Sequence, residues 1–539
     1  MRVLDRLLPR APKSPWASVA PPRRERSDGP TILCATSVGG HEIARTIDSL
    51  VASALWIRGA NPVALLCDGI LPACELCTYV EFEDDVTEFE RHGPERKLCG
   101  SCFAAGSRMY APLPFDVRRY REFVSSDEIA KARGYAETLA VEEWFALEEN
   151  GLKLGEQVRA ATMRFYGKAD LSTEPAALLE TTVRRYGAGA LLTAAVATRV
   201  FEEIRPEVLV CHHGLYVPQG VLGEVARRDG VRVVNWGPTY RDRTVIYSHG
   251  DTYHRTLISE PVEVWDEPLS ADRETALLTF LAERRRGKGD WTWITPEAAL
   301  RPNVQEGEEV RRWLELDPEK PVFGLLTNVL WDAQLYYEGQ AFTDMLEWLW
   351  TTIDYFAAHP ELQLVVRIHP HEVKAGNRQP VSDEIARRYP ELPANVRVVP
   401  YDSPINTYVL MQLCQVALIY GTKTGVELTP LGQPVVVAAE AWIRGKDLTI
   451  DPETKSAYLE VLEEITAIQP LDELTVDRAR RYAFHYFFRR MIPLSSLEPG
   501  SDDVRLTVRS LDDLRPGKDP GLDVICNGIL YGEPFVFDA

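Results

Sequence analysis

Two stretches of the chain place polar residues directly after short apolar runs. In Leu364–Glu372 (LVVRIHPHE), three apolar residues lead into an arginine, two histidines and a glutamate. In Val416–Gly425, the run VALIY leads into GTKTG. Short apolar runs that alternate with helical segments indicate a parallel sheet covered on both faces. Ligands of such sheets bind beyond the carboxyl ends of the strands, so these polar residues mark a candidate site.

The glycine- and threonine-rich turn at Gly421–Gly425 suits a phosphate group. A helix is predicted to begin in this turn. The first backbone N–H groups of a helix have no partner inside it, and its dipole is positive at that end. We therefore interpret this part of the chain as a nucleotide-sugar site.

The start of the chain has a second unit of the same kind. An apolar run at 31–35 leads into Gly39, Gly40 and His41, a helix is predicted to about residue 58, and a second apolar run ends at Asp68. This order is that of the opening of a doubly wound domain. The glycines would let a ligand approach the backbone, and His41 would project into the cleft. Alternatively, the glycines make a tight turn and His41 caps the helix.

A pair of histidines follows another apolar run, at 206–211. His212 and His213 would face the same cleft as His41. A metal site there lacks an acidic residue nearby in sequence. We therefore expect substrate contact or ordinary hydrogen bonding from these two side chains.

Four of the nine cysteines form two CxxC pairs separated by residues 78–98. Two such pairs can fold back and present four thiolates in the tetrahedral arrangement that zinc prefers, and an iron–sulfur cluster could use the same set. With all four positions occupied by protein, a zinc ion would be structural. We expect it to hold a zinc-ribbon-like insertion at 70–110. The predicted ligands are Cys74, Cys77, Cys99 and Cys102.

The composition limits the class of protein. The 539 residues are 45% hydrophobic and 26% charged, and no apolar run approaches the ~20 residues that a membrane span needs. A net charge of −20 without a long basic run argues against a nucleic-acid partner. The basic start, MRVLDRLLPR, lacks the apolar core of a secretory signal. We expect a cytoplasmic protein with at most a peripheral contact at the inner face of the membrane.

The order of the predicted elements gives two α/β domains with connections and tails. The expected bounds are a disordered or peripheral tail at 1–30, a Rossmann-like acceptor domain at 31–262 with a mostly helical part at 115–205, a polar linker at 263–320, a Rossmann-like nucleotide-sugar-binding domain at 321–475, a helix at 476–500 that crosses back to the first domain, and a C-terminal tail at 501–539.

At RIHPHE and GTKTGVELTPLGQPVVV the chain resembles bacterial capsule-polysaccharide biosynthesis glycosyltransferases. It is similar, more distantly, to the glycerophosphotransferases that make teichoic acids. These enzymes have the GT-B fold, in which two Rossmann-like domains face each other across a cleft. The resemblance implies a GT-B-like α/β fold and a nucleotide-sugar donor bound mainly by the second domain. It also implies a glycan or lipid-linked acceptor and chemistry without a catalytic metal.

The resemblance assigns the end of the first stretch to the donor. His369, of the His-Pro pair, would contact the donor phosphate or nucleotide. Arg367 would add a charge-assisted contact, because guanidinium groups match phosphate oxygens in pairs. His371 and Glu372 belong to the same predicted donor site.

The resemblance also assigns the turn of the second stretch. Thr422, Thr424 and Gly425 would hold the donor phosphates. Lys423 departs from the serine-rich form of this turn in the family, and we include it in the donor site without a defined role. Glu427 would accept hydrogen bonds from a ribose, or else would be a carboxylate favoured by the helix dipole.

For the first domain, the resemblance implies a general base. Gly39-Gly40-His41 is similar to the glycine-rich acceptor loop of GT-B enzymes, several of which use a histidine after the first strand as the base. His41 would remove the proton of the attacking hydroxyl. Asp68 is the second candidate, as the base itself or as the carboxylate that orients His41; the plain alternative is a turn residue.

Three readings of the function follow. The leading one is a glycosyltransferase for a surface polysaccharide or glycoconjugate. The second is a GT-B-fold sugar-nucleotide epimerase, which needs no acceptor, or a glycerophosphotransferase. The third is a zinc-ribbon nucleic-acid-binding protein, against which the acidic charge argues.

Overall fold

The apolar runs of the sequence form two β-sheets. The computed structural model describes residues 14–19, 22, 24–286, 307–332, 340–373, 376–499 and 504–539. Within these residues the strands are β1 (Thr31–Ser37), β2 (Asn61–Leu66), β3 (Asp116–Arg119), β4 (Val208–His212), β5 (Arg232–Pro238), β6 (Thr244–His249), β7 (Val322–Leu326), β8 (Gln363–Arg367), β9 (Val396–Val399), β10 (Ala417–Ile419), β11 (Val435–Val437) and β12 (Ile492–Pro493).

Helices connect and cover the strands. They are α1 (Glu42–Ile57), α2 (Val86–His92), α3 (Gly100–Tyr110), α4 (Ser126–Ala136), α5 (Val141–Phe145), α6 (Leu154–Tyr166), α7 (Ala176–Ile204), α8 (Val221–Arg228), α9 (Tyr253–Thr256), α10 (Ala271–Arg285), α11 (Gly307–Trp313), α12 (Met345–Ala358), α13 (Val381–Arg388), α14 (Thr407–Gln412), α15 (Thr424–Leu428), α16 (Lys455–Glu463), α17 (Glu473–Phe484) and α18 (Pro520–Tyr531). None of these helices is both long and apolar enough to cross a membrane.

Both sheets have the strand order of doubly wound domains. The first reads β12-β6-β5-β4-β1-β2-β3 and the second β11-β10-β7-β8-β9. All pairs are parallel except β5–β6 and β6–β12 at one edge of the first sheet. Numbered from its own first strand, each sheet contains the order 3-2-1-4-5, which places a topological switch point beside the first strand. The predicted α/β class with two Rossmann-like sheets is therefore correct.

Burial on both faces explains why the strands read as continuous apolar runs. Leu364, Val365 and Val366 of β8 are each 0% exposed, because helices cover both sides of a parallel sheet. Polar residues begin where each strand leaves the sheet. The sequence thereby positions polar side chains at the carboxyl edge.

The two ends of the chain correct the predicted tails. Trp16 is 0% exposed and donates from its indole N–H to Ser49 of α1 at 2.9 Å, so residues 14–19 are anchored to the first domain. In the predicted C-terminal tail, α18 packs its apolar side against α1. A single tryptophan such as Trp16, or a helix of mixed composition such as α18, cannot be predicted to pack from its own sequence. The prediction would also need the surface of the domain that each one contacts.

The predicted linker and insertion also need correction. The linker at 263–320 contains α10, whose Leu277, Phe280 and Leu281 are buried in the core that includes the second sheet; residues 287–306 lie outside the described residues. The segment 70–110 is not a zinc-ribbon: it consists of loops, α2 and α3, and contains no strand in these described residues. The part at 115–205 is helical apart from β3 and short connections.

The two domains contact each other through loops, and the chain returns to the first domain. The backbone N–H of Arg378 donates to the carbonyl of Gly167 at 3.0 Å. The side-chain oxygen of Gln379 accepts from the N–H groups of Ala169 and Asp170, each at 2.9 Å. After α17, β12 pairs with β6.

Candidate functional site

A histidine–glutamate–histidine cluster lies at the switch point of the first sheet. His41 follows β1 and His212 ends β4, the neighbouring strand. Their ring centroids are 4.6 Å apart. Glu75, from the loop after β2, joins them, and the ligand atoms of the three side chains lie within 4.8 Å of one another. The predicted approach of His41 and His212 is therefore present, with a carboxylate that the sequence analysis did not identify.

The loop before α1 is shaped by the protein around it. His41 occupies the N-cap position of α1, but its side chain makes no capping hydrogen bond. A Cβ atom on Gly39 would lie 2.7 Å from Cα of Gly106 in α3, and one on Gly40 would lie 2.6 Å from Leu76. The two glycines thus allow α3 and the loop after β2 to pack closely against the backbone of this loop. The prediction that they admit a ligand is not supported by this packing.

The electrostatic surroundings keep His41 neutral. Burial, followed by the positive charge of Arg164, lowers the pKa of His41 from 6.5 to about 3. Burial raises the pKa of Glu75 to about 7, against the opposing effects of Arg164 and of the Gln219 amide, which donates to it at 2.9 Å. A neutral imidazole beside a carboxylate can accept a proton from a bound hydroxyl group.

A strained segment follows β4. His213 and Tyr216 have φ of +64° and +68°, and Gly214 between them has +74°. Left-handed backbone at non-glycine residues costs ~1–3 kcal/mol each and concentrates at functional sites. His213 stacks on His254 with the ring centroids 5.5 Å apart. This segment extends the polar cluster away from His212.

The second domain contributes a carboxylate to the same region. Asp332 follows β7, and its charge opposes the effect of burial on His213 and His254. Burial lowers the pKa of His213 to about 4 and that of His254 to about 3. Asp332 also acts on Arg164. The ring centroid of His254 also lies 5.8 Å from that of Trp442 in the second domain, so the cluster lies where the two domains face each other.

The cluster of His41, Glu75 and His212 has the donor types of a divalent-metal site as well as those of a proton relay. The charge of Arg164 acts on all three side chains. A fixed cation repels a metal ion and favours an ionised Glu75. The surroundings therefore favour the relay, and the expectation of chemistry without a metal stays a prediction.

The carboxylate of Asp68, which follows β2, contacts Arg121. It accepts from the backbone N–H of Arg121 at 3.2 Å and lies 3.7 Å from Nε of the same residue. These contacts tie the end of β2 to the segment after β3. Glu75, and not Asp68, holds the position of the carboxylate that joins His41.

The switch point of the second sheet is formed by the loops after β7 and β10. The backbone N–H of Gly421 donates to the Asn328 side chain at 3.3 Å, which joins the two loops. His369, after β8, donates from its backbone N–H to Thr327 at 3.0 Å. Its Nδ1 accepts from the N–H of His371 at 3.1 Å, which fixes the orientation of the His369 ring. Both histidines are half-buried beside this switch point.

Two residues predicted to bind the donor have internal partners. Arg367 is 5% exposed and donates to the carbonyl of Pro400 and to the hydroxyl of Thr407. Glu372 is 6% exposed and accepts from the N–H of Val381 at the start of α13 at 3.0 Å. These contacts join β8 to β9, α13 and α14. A phosphate contact for either residue stays a prediction that the structure does not support.

The turn after β10 is held by its own hydroxyl groups. Thr422 Oγ1 accepts from the N–H of Thr424 at 3.3 Å and lies 3.1 Å from its hydroxyl oxygen. A Cβ on Gly425 would lie 2.9 Å from Ile419, so the glycine is required for packing. The helix that follows, α15, has five residues. Its dipole alone is a weak basis for phosphate binding.

Glu427 belongs to a buried ion-pair cluster. It is 1% exposed and accepts from Arg284 at 2.9 Å, from Lys423 at 2.8 Å and from the Tyr408 hydroxyl at 2.7 Å. Lys423 also lies over the ring of Tyr240 in the first domain, 4.4 Å from its centroid. This arrangement gives Lys423 and Glu427 a structural role, and the ribose contact of Glu427 stays a prediction.

The cysteines form no disulfide. The backbone N–H of Cys77 donates to the carbonyl of Cys74 at 2.9 Å, so the first CxxC pair makes a turn. Among the described residues, no three cysteine sulfurs lie within 4.8 Å of one another. The zinc site with Cys74, Cys77, Cys99 and Cys102 is thus not assembled at zinc distances and stays a prediction.

The sequence analysis missed residues that lie far from the predicted strand ends. Glu75 was concealed inside a CxxC motif, where its flanking cysteines attracted the interpretation. Arg164 lies in α6 and His254 in α9, and no local motif identifies either residue. Asp332 follows β7 by six residues, which is too far from the strand for a strand-end pattern to identify it.

No protein-family model and no curated protein matches the chain. Among solved structures, the chain is similar to Thermosulfurimonas dismutans KpsC, a beta Kdo 2,4 transferase, with 12% identity and a TM-score of 0.33 over 50% of this chain and 78% of that chain. It is similar to the calicheamicin glycosyltransferase CalG4, with 14% identity and a TM-score of 0.26 over 85% and 94% of the two chains. It is also similar to UDP-GlcNAc 2-epimerase from Neisseria meningitidis, with 9% identity and a TM-score of 0.22 over 83% and 94%. At these scores the likeness supports neither a shared activity nor a shared substrate, and the assignment of two doubly wound domains rests on the strand orders.

Proposed function

We propose that the protein is a glycosyltransferase that moves a sugar from a nucleotide-sugar donor to a glycan or lipid-linked acceptor. The observation that carries the proposal is the approach of His41 and Glu75 at the switch point of the first sheet. A second doubly wound domain faces it and has its own polar switch point. Doubly wound domains bind their ligands at such points.

His41 acts as the general base in this proposal. An acceptor hydroxyl attacks the anomeric carbon of the donor, its proton moves to the imidazole, and the bond from that carbon to the diphosphate oxygen breaks. Glu75 orients the ring and stabilises the imidazolium that forms, as a carboxylate beside a catalytic histidine does. Because burial opposes a charged imidazole, this carboxylate is needed for proton transfer.

The second domain holds the donor. His369 provides a half-buried imidazole whose Nδ1 accepts from the N–H of His371, and this proposal assigns the ring to a phosphate or nucleotide of the donor. Thr422 and Thr424 provide hydroxyl groups at the neighbouring strand end. The diphosphate product leaves from this side. A cytoplasmic location, with the acceptor at the inner face of the membrane, completes the proposal.

Incubation with a panel of nucleotide sugars tests this function. Each is supplied with a mixture of glycan and lipid-linked acceptors or with none, and the sugar product and the released nucleotide are followed by mass spectrometry. Transfer that requires an acceptor and falls in His41→Ala is the expected result. Conversion of the sugar without any acceptor would indicate an epimerase instead, and no reaction with any donor would contradict the proposal.

A further inference from the structure

An arginine beside the His41–Glu75 pair has no carboxylate partner. Arg164 lies in the last turn of α6 and is half-buried. Its Nε donates to the backbone carbonyl of Glu75 at 3.5 Å, whereas the carboxylate of Glu75 accepts from the amide of Gln219 at 2.9 Å. Among the residues that the structure describes, no carboxylate oxygen lies within 4.0 Å of the Arg164 guanidinium. This includes Asp332 of the second domain, which is exposed.

Other arginines of the first domain do have such partners. Arg255, next to His254 in α9, lies 3.3 Å from Glu156 and 3.2 Å from Asp251. Removing a guanidinium from water is costly unless an anion accompanies it, so arginines in the interior are normally paired. Arg164 departs from this rule, which indicates that a ligand supplies its counter-charge.

The Arg164 guanidinium adjoins a row of rings whose polar atoms are not hydrogen-bonded. It lies 5.3 Å from the centroid of the Tyr216 ring. The Tyr216 centroid lies 5.4 Å from that of His213, which lies 5.5 Å from that of His254. Within the described part of the chain, the Tyr216 hydroxyl, Nδ1 of His213 and Nε2 of His254 are buried and have no partner at hydrogen-bond distance. Hydrogen-bond donors and a cation thus occur together along this side of the cleft.

Tyr216 is the most informative member of this row. It is 1% exposed, and buried tyrosine hydroxyls normally find a hydrogen-bond partner. Its φ of +68° lies in the left-handed region, which is unfavourable for residues other than glycine and is concentrated at functional sites. Packing alone explains neither feature, so both indicate that the hydroxyl is held for a ligand.

We infer that Arg164, Tyr216 and His213 bind a negatively charged group of the acceptor, a carboxylate or a phosphate, next to the hydroxyl that His41 activates. A guanidinium matches the paired oxygens of either group. A tyrosine hydroxyl and a neutral imidazole can each donate one further hydrogen bond. The charge is assigned to the acceptor because these residues lie in the first domain, whereas the proposed donor site lies on the second.

This inference rests on the proposed function and narrows it. A neutral glycan would leave the Arg164 guanidinium and the Tyr216 hydroxyl without a partner. An acidic glycan, or a sugar linked to its carrier through a phosphate, would satisfy both. The acceptor class is therefore anionic.

Binding of small charged sugars tests the site without any transfer reaction. Glucuronate, glucose-6-phosphate and uncharged glucose are titrated into the full-length protein, and their affinities are measured by ligand-observed NMR. The wild type should bind at least one charged sugar about tenfold or more tightly than glucose, and Arg164→Gln should lose this preference. The tighter of the two charged sugars distinguishes a carboxylate site from a phosphate site.

A matched variant controls for a general effect of charge. Arg159 lies on the same helix and is exposed, so Arg159→Gln should bind all three sugars as the wild type does. Equal affinity of the wild type for the three sugars would overturn the inference. So would an unchanged preference for the charged sugars in Arg164→Gln.

Tyr216→Phe provides a test that keeps the ring and removes only the hydroxyl. Loss of one neutral hydrogen bond should weaken binding of the preferred charged sugar roughly two- to tenfold. Because the aromatic packing is retained, this variant is informative even where Arg164→Gln folds poorly. Wild-type affinity in Tyr216→Phe would contradict the assigned ligand set.

Nucleoside diphosphates separate this inference from the proposed function. Their affinity should be the same in the wild type and in Arg164→Gln, because the proposed donor site lies on the second domain. An equal loss of affinity for nucleoside diphosphates and for charged sugars would assign the anion to the donor and overturn the inference. Charged-sugar binding that depends on Arg164, in a protein that transfers no sugar, would contradict the proposed function and confirm the anion site.

Discussion

At the scale of single residues, His41 carries the proposed chemistry. His41→Ala should lower turnover ~10²–10⁴-fold, the usual effect of removing a general base. Donor affinity should remain that of the wild type, because the proposed donor site lies on the other domain. The measurement is the steady-state rate with the best donor found. Wild-type turnover in this variant would contradict the role of His41 as a base and would leave Gly39-Gly40-His41 as a turn before a helix.

The pH dependence of the rate follows from the same residue. Burial lowers the pKa of His41 from 6.5 to about 3, so the ring is neutral, and able to accept a proton, at every pH above that value. Turnover should therefore show no loss attributable to His41 as pH falls through 6.5. Comparison of kcat/KM profiles checks this: His41→Ala should lower the profile without changing its shape across the neutral range. An inflection near 6.5 that disappears in the variant would contradict the lowered pKa.

Residue types at strand ends allowed part of the site to be predicted. His41 and His212 were identified because each follows an apolar run, and parallel strands place their carboxyl ends together. Glu75 could not be identified in this way. Its approach to the two histidines depends on the path of the loop after β2. That path is held by long-range contacts, such as the bonds from the Tyr186 hydroxyl in α7 to the carbonyls of Cys74 and Cys77, which no local pattern records.

At the scale of elements, the buried ion pairs of Glu427 join α10, α14 and α15. Burial alone would raise the pKa of Glu427, but Arg284, Lys423 and Tyr408 together lower it from 4.5 to about 2. Glu427→Gln should lower the free energy of unfolding by ~3–5 kcal/mol, because it leaves buried cations without a counter-charge. Urea unfolding measures this, with the exposed Glu453→Gln as the control, which should change stability little.

The sign of the pH effect gives a second readout for that variant. A carboxylate with a lowered pKa stabilises the fold above 4.5, and this stabilisation is lost as pH falls through about 2. The difference in stability between wild type and Glu427→Gln should therefore be full at neutral pH and shrink in that acidic range. A difference that is constant with pH would show that Glu427 contributes by packing alone.

The elements themselves were predicted where their pattern is local. The buried strands β1, β4, β8 and β10 were recognised from apolar runs, and their order along the chain gave the doubly wound sheets. The start of α15 was predicted from the turn GTKTG, and the helix ends after five residues, before Pro430. The helix α18 was not predicted, because its apolar residues are buried only by packing against α1, which is distant in sequence.

At the scale of the whole molecule, Arg378 joins the two domains. Its guanidinium lies 3.6 Å from the ring centroid of Tyr79 and 3.2 Å from the carboxylate of Glu174, which is buried. Arg378→Ala should weaken the contact between the domains by ~1–3 kcal/mol and increase the radius of gyration measured by small-angle X-ray scattering. Arg388→Ala, which removes the same kinds of contact within the second domain, serves as the control. Equal scattering from both variants would show that Arg378 does not hold the domains together.

The division of labour between the two domains is tested most directly by calorimetric titration of nucleotide sugars into the wild type, His369→Ala and His41→Ala. Loss of one charge-assisted hydrogen bond costs ~1.5–3 kcal/mol, so His369→Ala should bind the donor at least about tenfold more weakly. His41→Ala should bind it with the wild-type affinity. Wild-type affinity in His369→Ala, together with weakened binding in His41→Ala, would place the donor on the first domain and contradict the account.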